Sequence, residues 1–278
     1  MDKIDINSPA KINFGLNVVA KRSDGYHNIE TIFYPIKLHD EITIKKSGSL
    51  TFKSNVESLS SGEDNLIIKA VNLLGKYLER KLCVDIVLKK NIPIGSGLGG
   101  GSSNAASILR GLQVLFNLNL SEKELFNIAV KIGSDVPFFL SPKPKFADGK
   151  GEKLKEIDFN IKYPMLIINP GIHVSTPWAY SRISPKRPEV NLFSIINKGF
   201  NDFSELKEIV TNDFEKIVFE KLPEIGKIKN YLYKFGADFA LMTGSGSSLF
   251  GIFPDLMKAE EAEKKFSEKY FTFLHSNK

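Results

Sequence analysis

Residues 89–110 constrain this chain more than any other stretch: Lys-Lys-Asn-Ile-Pro-Ile-Gly-Ser-Gly-Leu-Gly-Gly-Gly-Ser-Ser-Asn-Ala-Ala-Ser-Ile-Leu-Arg. Five of the seven residues from 95 to 101 are glycine. Ahead of them residues 83–88, Cys-Val-Asp-Ile-Val-Leu, read as a buried strand. Behind them Ser102, Ser103 and Asn104 offer N-cap chemistry, and Ala105, Ala106, Ile108, Leu109, Leu112 and Leu115 follow at helical spacing. Strand, glycine loop and helix together form a device for holding an anion. Backbone without side chains can curl until its N–H groups converge, and a helix start adds unpaired donors and the positive end of a dipole. Phosphate binding is therefore expected here.

The loop is not a Walker A loop, which needs a lysine where this one reads Gly-Gly-Ser-Ser. Gly95, Gly97 and Gly100 do fit the G-x-G-x-x-G spacing of dinucleotide-binding domains. Their surroundings do not fit, because the preceding eighty or so residues look strand-rich and antiparallel, and no second strand with an acidic end follows.

The chain's 278 residues suffice for one large or two medium domains, and its 42% apolar and 25% charged residues suit a water-soluble globular protein. No apolar run approaches the ~18 residues a membrane span needs, and Met-Asp-Lys-Ile-Asp at the start does not read as a secretory signal. Cys83 is the sole cysteine, so no intramolecular disulfide framework exists; its strand position suggests packing, and the cytoplasm is the expected compartment. His27, His39, His173 and His275 lack metal-ligand spacing, and no structural zinc is expected. The net charge of +6 suits anionic small molecules. Without a dense Lys/Arg block interleaved with aromatics, neither a nucleic-acid nor a membrane partner is expected, and the oligomeric state stays open.

Residues 3–53 alternate apolar and polar as strands do, with an Asp24-Gly25 turn that predicts a hairpin joining residues 11–20 to 27–38. Residues 55–62 read as a polar loop, and Asp64 or Asn65 caps a helix carrying Leu66, Ile67, Ala70, Val71, Leu74 and Leu78 on one face. After the loop helix, Ser121-Glu-Lys-Glu predicts a capping box, and Gly133-Ser-Asp-Val-Pro-Phe-Phe-Leu a turn running into a strand. A hairpin is expected within 143–151, a buried strand at 165–169, and a short helix from Ser175-Thr-Pro-Trp. Helical patterns then run to Val218 and over 223–235, and a strand at 238–242 leads into a second glycine-serine stretch, Thr243-Gly-Ser-Gly-Ser-Ser, and on to Leu249-Phe-Gly-Ile-Phe.

Four stretches stand out: Pro9-Ala-Lys-Ile-Asn-Phe, the loop 92–106, Gly133-Ser-Asp-Val-Pro-Phe-Phe, and Met242-Thr-Gly-Ser-Gly-Ser-Ser-Leu-Phe-Gly. In this order and spacing, over essentially the whole chain, they resemble the GHMP kinases. Pro9-Ala-Lys-Ile-Asn with Asp24-Gly-Tyr-His is similar, more narrowly, to the branch acting on a cytidine-diphosphate-linked sugar alcohol in the non-mevalonate route to isoprenoid precursors. The resemblance implies an α+β fold in two domains, 1–158 (ribosomal-protein-S5-like, with the phosphate loop) and 159–278 (ferredoxin-like). It implies ATP as phosphoryl donor, held by Pro93, Ile94, Gly95, Ser96, Gly97, Leu98, Gly99, Gly100, Gly101, Ser102 and Ser103. It assigns Lys11 and Asp135 to catalysis, Asn13 to the substrate's hydroxyl end, Tyr26, His27 and Phe33 to the cytidine, Tyr180 to an aromatic closing on the base, and Thr176 beside it. Mg2+ is implied by ATP use, with its protein ligands unassigned.

The chemistry is consistent with these assignments. Transfer to an alcohol needs the γ-phosphoryl cradled, its charge stabilised and the hydroxyl deprotonated. Asp135 is a candidate base, and Lys11 a candidate to stabilise its charge and the transition state. Taken singly, Lys11 reads as a solvated strand lysine, Asp135 as a turn residue, and Tyr26 and Phe33 as hairpin aromatics; it is their company that points to a site. Another kinase of the family, for homoserine or mevalonate, would leave Asp24-Gly-Tyr-His without a reason. A non-catalytic nucleotide-binding protein would need neither Lys11 nor Asp135.

Overall fold

Period-two alternation and the Asp24-Gly25 turn produce the hairpin they predict. Strand β1 (Lys3–Lys21) and strand β2 (His27–Lys46) pair with each other, and the Arg22 N–H donates to the Tyr26 carbonyl at 2.9 Å to close the turn. The structure is a computed structural model that describes residues 1–59, 62, 64–189, 191–200 and 202–276; of the polar 55–62 stretch, Ser60 and Ser61 lie outside the described residues. The chain divides into two compact units that are not consecutive in sequence: residues 1–10, 36–94 and 99–142 in the first, residues 11–35, 95–98 and 143–278 in the second.

In the first unit, β3 (Thr51–Ser54) runs parallel to β4 (Val84–Lys89), which pairs antiparallel with residues 41–46 of β2. Helix α1 (Leu66–Tyr77) is capped by Asn65, whose side chain accepts the Ile67 N–H at 2.9 Å. It buries Ile67, Ala70, Val71 and Leu74 along the stripe the sequence shows. Helix α2 (Gly100–Leu115) packs against α1, against α3 (Glu122–Ile132) and against α4 (Val136–Leu140). The capping box forms as expected: Ser121 Oγ accepts the Glu124 N–H and Glu124 Oε2 accepts the Ser121 N–H.

Three local expectations are corrected in this unit. Residues 136–140 form a helix, not a strand. An apolar run of five carries no period to tell the two apart, and Pro137 in the first turn, having no N–H to lose there, favours the helix. Ser102, Ser103 and Asn104 do not cap α2 but lie inside it. The N-cap is Gly99, in the left-handed region at φ 71°, with no side-chain cap hydrogen bond. Cys83 lies just ahead of β4, half-buried rather than packed within it.

In the second unit, residues 31–33 of β2 pair antiparallel with β5 (Lys145–Asp148), which pairs with β6 (Lys153–Glu156) in a hairpin that reaches beyond the expected 143–151. A second, antiparallel sheet is ordered β10-β7-β9-β8, from β7 (Met165–Asn169), β8 (Phe239–Met242), β9 (Leu249–Ile252) and β10 (Phe271–His275). Short helices α5 (Thr176–Arg182) and α6 (Leu192–Lys198), then α7 (Phe214–Lys221), α8 (Pro223–Lys234) and α9 (Leu256–Phe266), complete it. Ser175 caps α5, with Pro177 in its first turn. The core over this sheet gathers Leu166, Ile168, Val218, Ile228, Leu232 and Phe253 with Leu16 and Val18 of β1. Helix α9 and strand β10 were not read from the sequence. No helix among the described residues is long and apolar enough to cross a membrane.

Candidate active site

The glycine loop alternates. Gly95, Gly97 and Gly99 take positive φ (64°, 79° and 71°), while Ser96 and Leu98 between them are buried. Gly97 is needed for close approach as well as for its φ, since a Cβ there would be driven into the Thr243 carbonyl oxygen and would lie 3.2 Å from that of Gly246. Gly99 turns the chain into α2, and no side chain caps the helix that follows. Its first-turn N–H groups are thus left for a ligand, and they sit at the positive end of a sixteen-residue helix.

Within the second unit, β1 brings Lys11 and Asn13 to one strand face two residues apart. Lys11 is 3% exposed. Its N–H donates to the Leu98 carbonyl at 3.0 Å, and its Nζ donates to Asn13 Oδ1 and, at 3.4 Å, to the Gly97 carbonyl. The ammonium also lies 5.0 Å from the centroid of the Phe33 ring. Asn13 is held in turn: its N–H donates to Thr243 Oγ1 at 2.8 Å and its Nδ2 to Thr31 Oγ1 at 2.9 Å. Thr31 passes its own proton to the Gly15 carbonyl at 2.6 Å, which fixes the donor sense of the chain.

The second glycine-serine stretch forms the wall on which residues 95–98 rest. Asn212 Nδ2 donates to the carbonyls of Met242 and Gly244 at 2.7 and 2.8 Å, and the Ser248 N–H donates to the Ser96 carbonyl at 3.2 Å. Thr176 Oγ1 meets Ser245 Oγ at 2.8 Å, so Thr176 lies on this wall. Thr243 was not among the expected site residues, although its Thr-Gly-Ser-Gly setting was visible; its hydroxyl joins Asn13 to the loop, donating toward Gly97 O at 3.4 Å.

The expected aromatic residues make these contacts. The His27 and Tyr180 rings stack, with centroids 5.1 Å apart and 24° between planes, and Tyr180 meets Phe214 edge-on at 4.9 Å. Burial, helped by the nearby Lys21 charge, pushes the His27 pKa down, which favours the neutral ring with one donor and one acceptor nitrogen. Tyr26 is 59% exposed and carries the Lys150 ammonium 4.6 Å from its ring centroid. Phe33 carries the Lys11 ammonium over its ring.

Asp135 belongs to the first unit. It occupies the N-cap position of α4 in helical geometry (φ −85°, ψ −15°) without capping it, and Ser134 Oγ donates to its Oδ1 at 3.4 Å. Val136, Phe138 and Phe139 anchor the helix by burial, so the carboxylate is presented from a fixed element. No group of three or more His, Cys, Asp or Glu among the described residues could hold a metal ion.

Comparison with known proteins shows the family of the chain. Residues 65–143 match the family model described as GHMP kinases N terminal domain, and residues 194–272 the one described as GHMP kinases C terminal. The 4-diphosphocytidyl-2-C-methyl-D-erythritol kinase of Bacteroides thetaiotaomicron is 45% identical over 251 residues, covering 88% of this chain and 90% of its own. A crystal structure of 4-(cytidine 5'-diphospho)-2C-methyl-D-erythritol kinase superposes with a TM-score of 0.83 at 31% identity, covering 98% of both chains. A homoserine kinase from Cytophaga hutchinsonii shares the fold, with a TM-score of 0.76 at 18% identity over 99% of this chain and 95% of its own.

Proposed function

This chain belongs to the GHMP kinases, and from that premise we propose how it acts: it is an ATP-dependent kinase that phosphorylates the 2-hydroxyl of 4-diphosphocytidyl-2-C-methyl-D-erythritol in the non-mevalonate route to isoprenoid precursors. The glycine loop, residues 93–103, takes the ATP phosphates on its backbone donors. Asp135 accepts the proton of the attacking hydroxyl as the new P–O bond forms and ADP departs. Lys11 stabilises the negative charge on the transferring phosphoryl group. The observation that best supports these roles is the Lys11 ammonium, buried and held at the carbonyl of Gly97 inside the loop.

Asn13 positions the hydroxyl end of the substrate, with Phe33 beneath the lysine and Thr176 on the glycine-serine wall. His27 and Tyr180, already stacked, receive the cytosine with Tyr26 and Phe33. Stacking tolerates any base, so selection of cytosine falls to hydrogen bonds from His27 and its backbone. Mg2+ bound with the ATP would supply charge neutralisation at its phosphate oxygens. Its protein ligands stay unassigned. A cytoplasmic location is proposed from the single cysteine.

The test is ADP formation by the full chain against a panel of 4-diphosphocytidyl-2-C-methyl-D-erythritol, homoserine, mevalonate and galactose. Turnover with the cytidine substrate alone is expected. Turnover with homoserine in its place would overturn the assignment.

A further inference from the structure

Behind the glycine loop lies a buried carboxylate that the phosphoryl-transfer scheme does not use. Asp40, on β2, is 0% exposed. Its Oδ1 accepts the backbone N–H groups of Asn91 and Ile92, both at 2.8 Å. Its Oδ2 accepts Lys90 Nζ at 2.5 Å and Asn104 Nδ2 at 2.8 Å. Asn104 Nδ2 also reaches Ser8 Oγ at 3.0 Å, and Ser8 Oγ donates to Ser103 Oγ at 2.8 Å. One side chain thus ties the residues leaving β4, just ahead of Pro93, to the first turns of α2. The Lys90 side chain is 6% exposed, and its ammonium would stand 2.8 Å from a Cβ on Gly100.

Stability does not explain this arrangement. Taking two charges out of water costs about as much as their attraction returns, and well-packed apolar side chains serve a core as well. A carboxylate does something an apolar side chain cannot, which is to fix four donors on two different elements at defined points. Those elements are the strand end and the helix start that flank the glycine loop. The same network draws Ser103 and Asn104 inward, toward Ser8 and Asp40, rather than leaving them to cap α2.

We propose that Asp40 is the positioning residue of the phosphate loop: by holding residues 90–92 and Asn104, it sets where the uncapped N–H groups of α2 meet the nucleotide's phosphates. This rests on the reading of the loop as the ATP cradle. It predicts that disturbing Asp40 is felt at the nucleotide and spares the cytidine substrate.

The experiment measures, on the full chain, binding of a non-hydrolysable ATP analogue, binding of the cytidine substrate, and melting temperature. In Asp40→Asn the amide keeps the Oδ1 acceptor but turns a donor toward Lys90 and Asn104. Analogue affinity should fall about 10- to 100-fold, as for a lost hydrogen bond to a charged group, while cytidine-substrate affinity stays within about threefold. The double variant Asp40→Asn/Asn104→Asp restores donor to acceptor across that contact and should recover most of the loss. If Asp40→Asn does not fold, Asn104→Ala, which removes one of the four donors, is read instead, with about tenfold expected. A folded variant with normal analogue affinity overturns the proposal, as does equal loss for both ligands that the double variant fails to rescue. Gly99→Val separates this from failure of the cradle itself. If it abolishes analogue binding while Asp40→Asn does not, Asp40 alone is wrong; if it too binds normally, the cradle is wrong.

Discussion

A lysine buried as deeply as Lys11 must have its charge met by something other than water. Asn13 Oδ1, the Gly97 carbonyl and the face of Phe33 supply part of that, and all three leave the ammonium able to attract an anionic phosphate. Asp135 does different work on the proposed scheme, and its variant tests it cleanly. Asp135→Asn keeps the shape and should keep both ligand affinities, while turnover falls on the order of 10²–10⁴-fold, the usual worth of a positioned general base. Single-turnover kinetics decide the matter, and a loss below about threefold would remove Asp135 from the mechanism. The two tyrosines should part company. Tyr180→Ala and Tyr26→Ala are each expected to weaken the cytidine substrate about 10- to 100-fold, from a stacking energy of roughly 1–3 kcal/mol, with ATP affinity unmoved. Tyr180 also packs on Phe214 and should lower the melting temperature, whereas Tyr26, exposed beneath Lys150, should not. Normal substrate binding in both variants would dismiss the aromatic clamp.

Among the elements, α2 and α3 show two opposite ways of starting a helix. Helix α3 closes its donors with Ser121 and Glu124, while α2 leaves its own open behind Gly99. The capping box can be tested by pH. Hydrogen bonds from Ser121 and then Tyr77 pull the Glu124 pKa down to about 2. A group held below its unfolded value of about 4.3 contributes stability that is present above that value and lost as pH falls toward 2, because unfolding then takes up a proton. Denaturant melts of the wild type should lose stability across this window, and Glu124→Gln should show a shallower slope over it. Ser121→Ala should cost about 0.5–2 kcal/mol at neutral pH, as for other lost N-caps. An identical pH slope in Glu124→Gln would mean that the box adds nothing to the fold.

At the scale of the whole molecule, the charges that join distant segments fall into two groups. Lys89–Glu41 and Lys269–Glu224 are exposed pairs, worth little to the fold and screened by salt. Lys90–Asp40 and Lys229–Glu215 are largely withdrawn from water and escape most of that screening. The net charge of +6 acts outward, on an anionic nucleotide. Raising NaCl from about 0.05 to 0.5 M shortens the screening length severalfold. The KM for ATP should rise while the melting temperature moves by no more than a few degrees. A large drop in melting temperature with KM unchanged would show that the screened surface charge bears on the fold and not on the nucleotide.

Much of this protein could be read from local chemistry alone. The Asp24-Gly25 turn, the Asn65 and Ser121 caps, and the glycines at 95, 97 and 99 state conformations that neighbouring residues suffice to specify, because φ, capping and alternation are short-range properties. Resemblance to a known family then named residues such as Lys11 and Asn13 without saying what they touch. Only the folded chain set Lys11 on a carbonyl 86 residues away and Asn13 on Thr243, 230 residues away, since a period-two pattern tells which side chains share a face but not what lies opposite. The apolar run at 136–140 left helix and strand undistinguished, and tertiary packing drew Ser103 and Asn104 from the expected cap into the network around Asp40. A five-residue apolar run has no measurable period, and a buried carboxylate outbids a helix end for a polar side chain whenever the fold brings the two within reach.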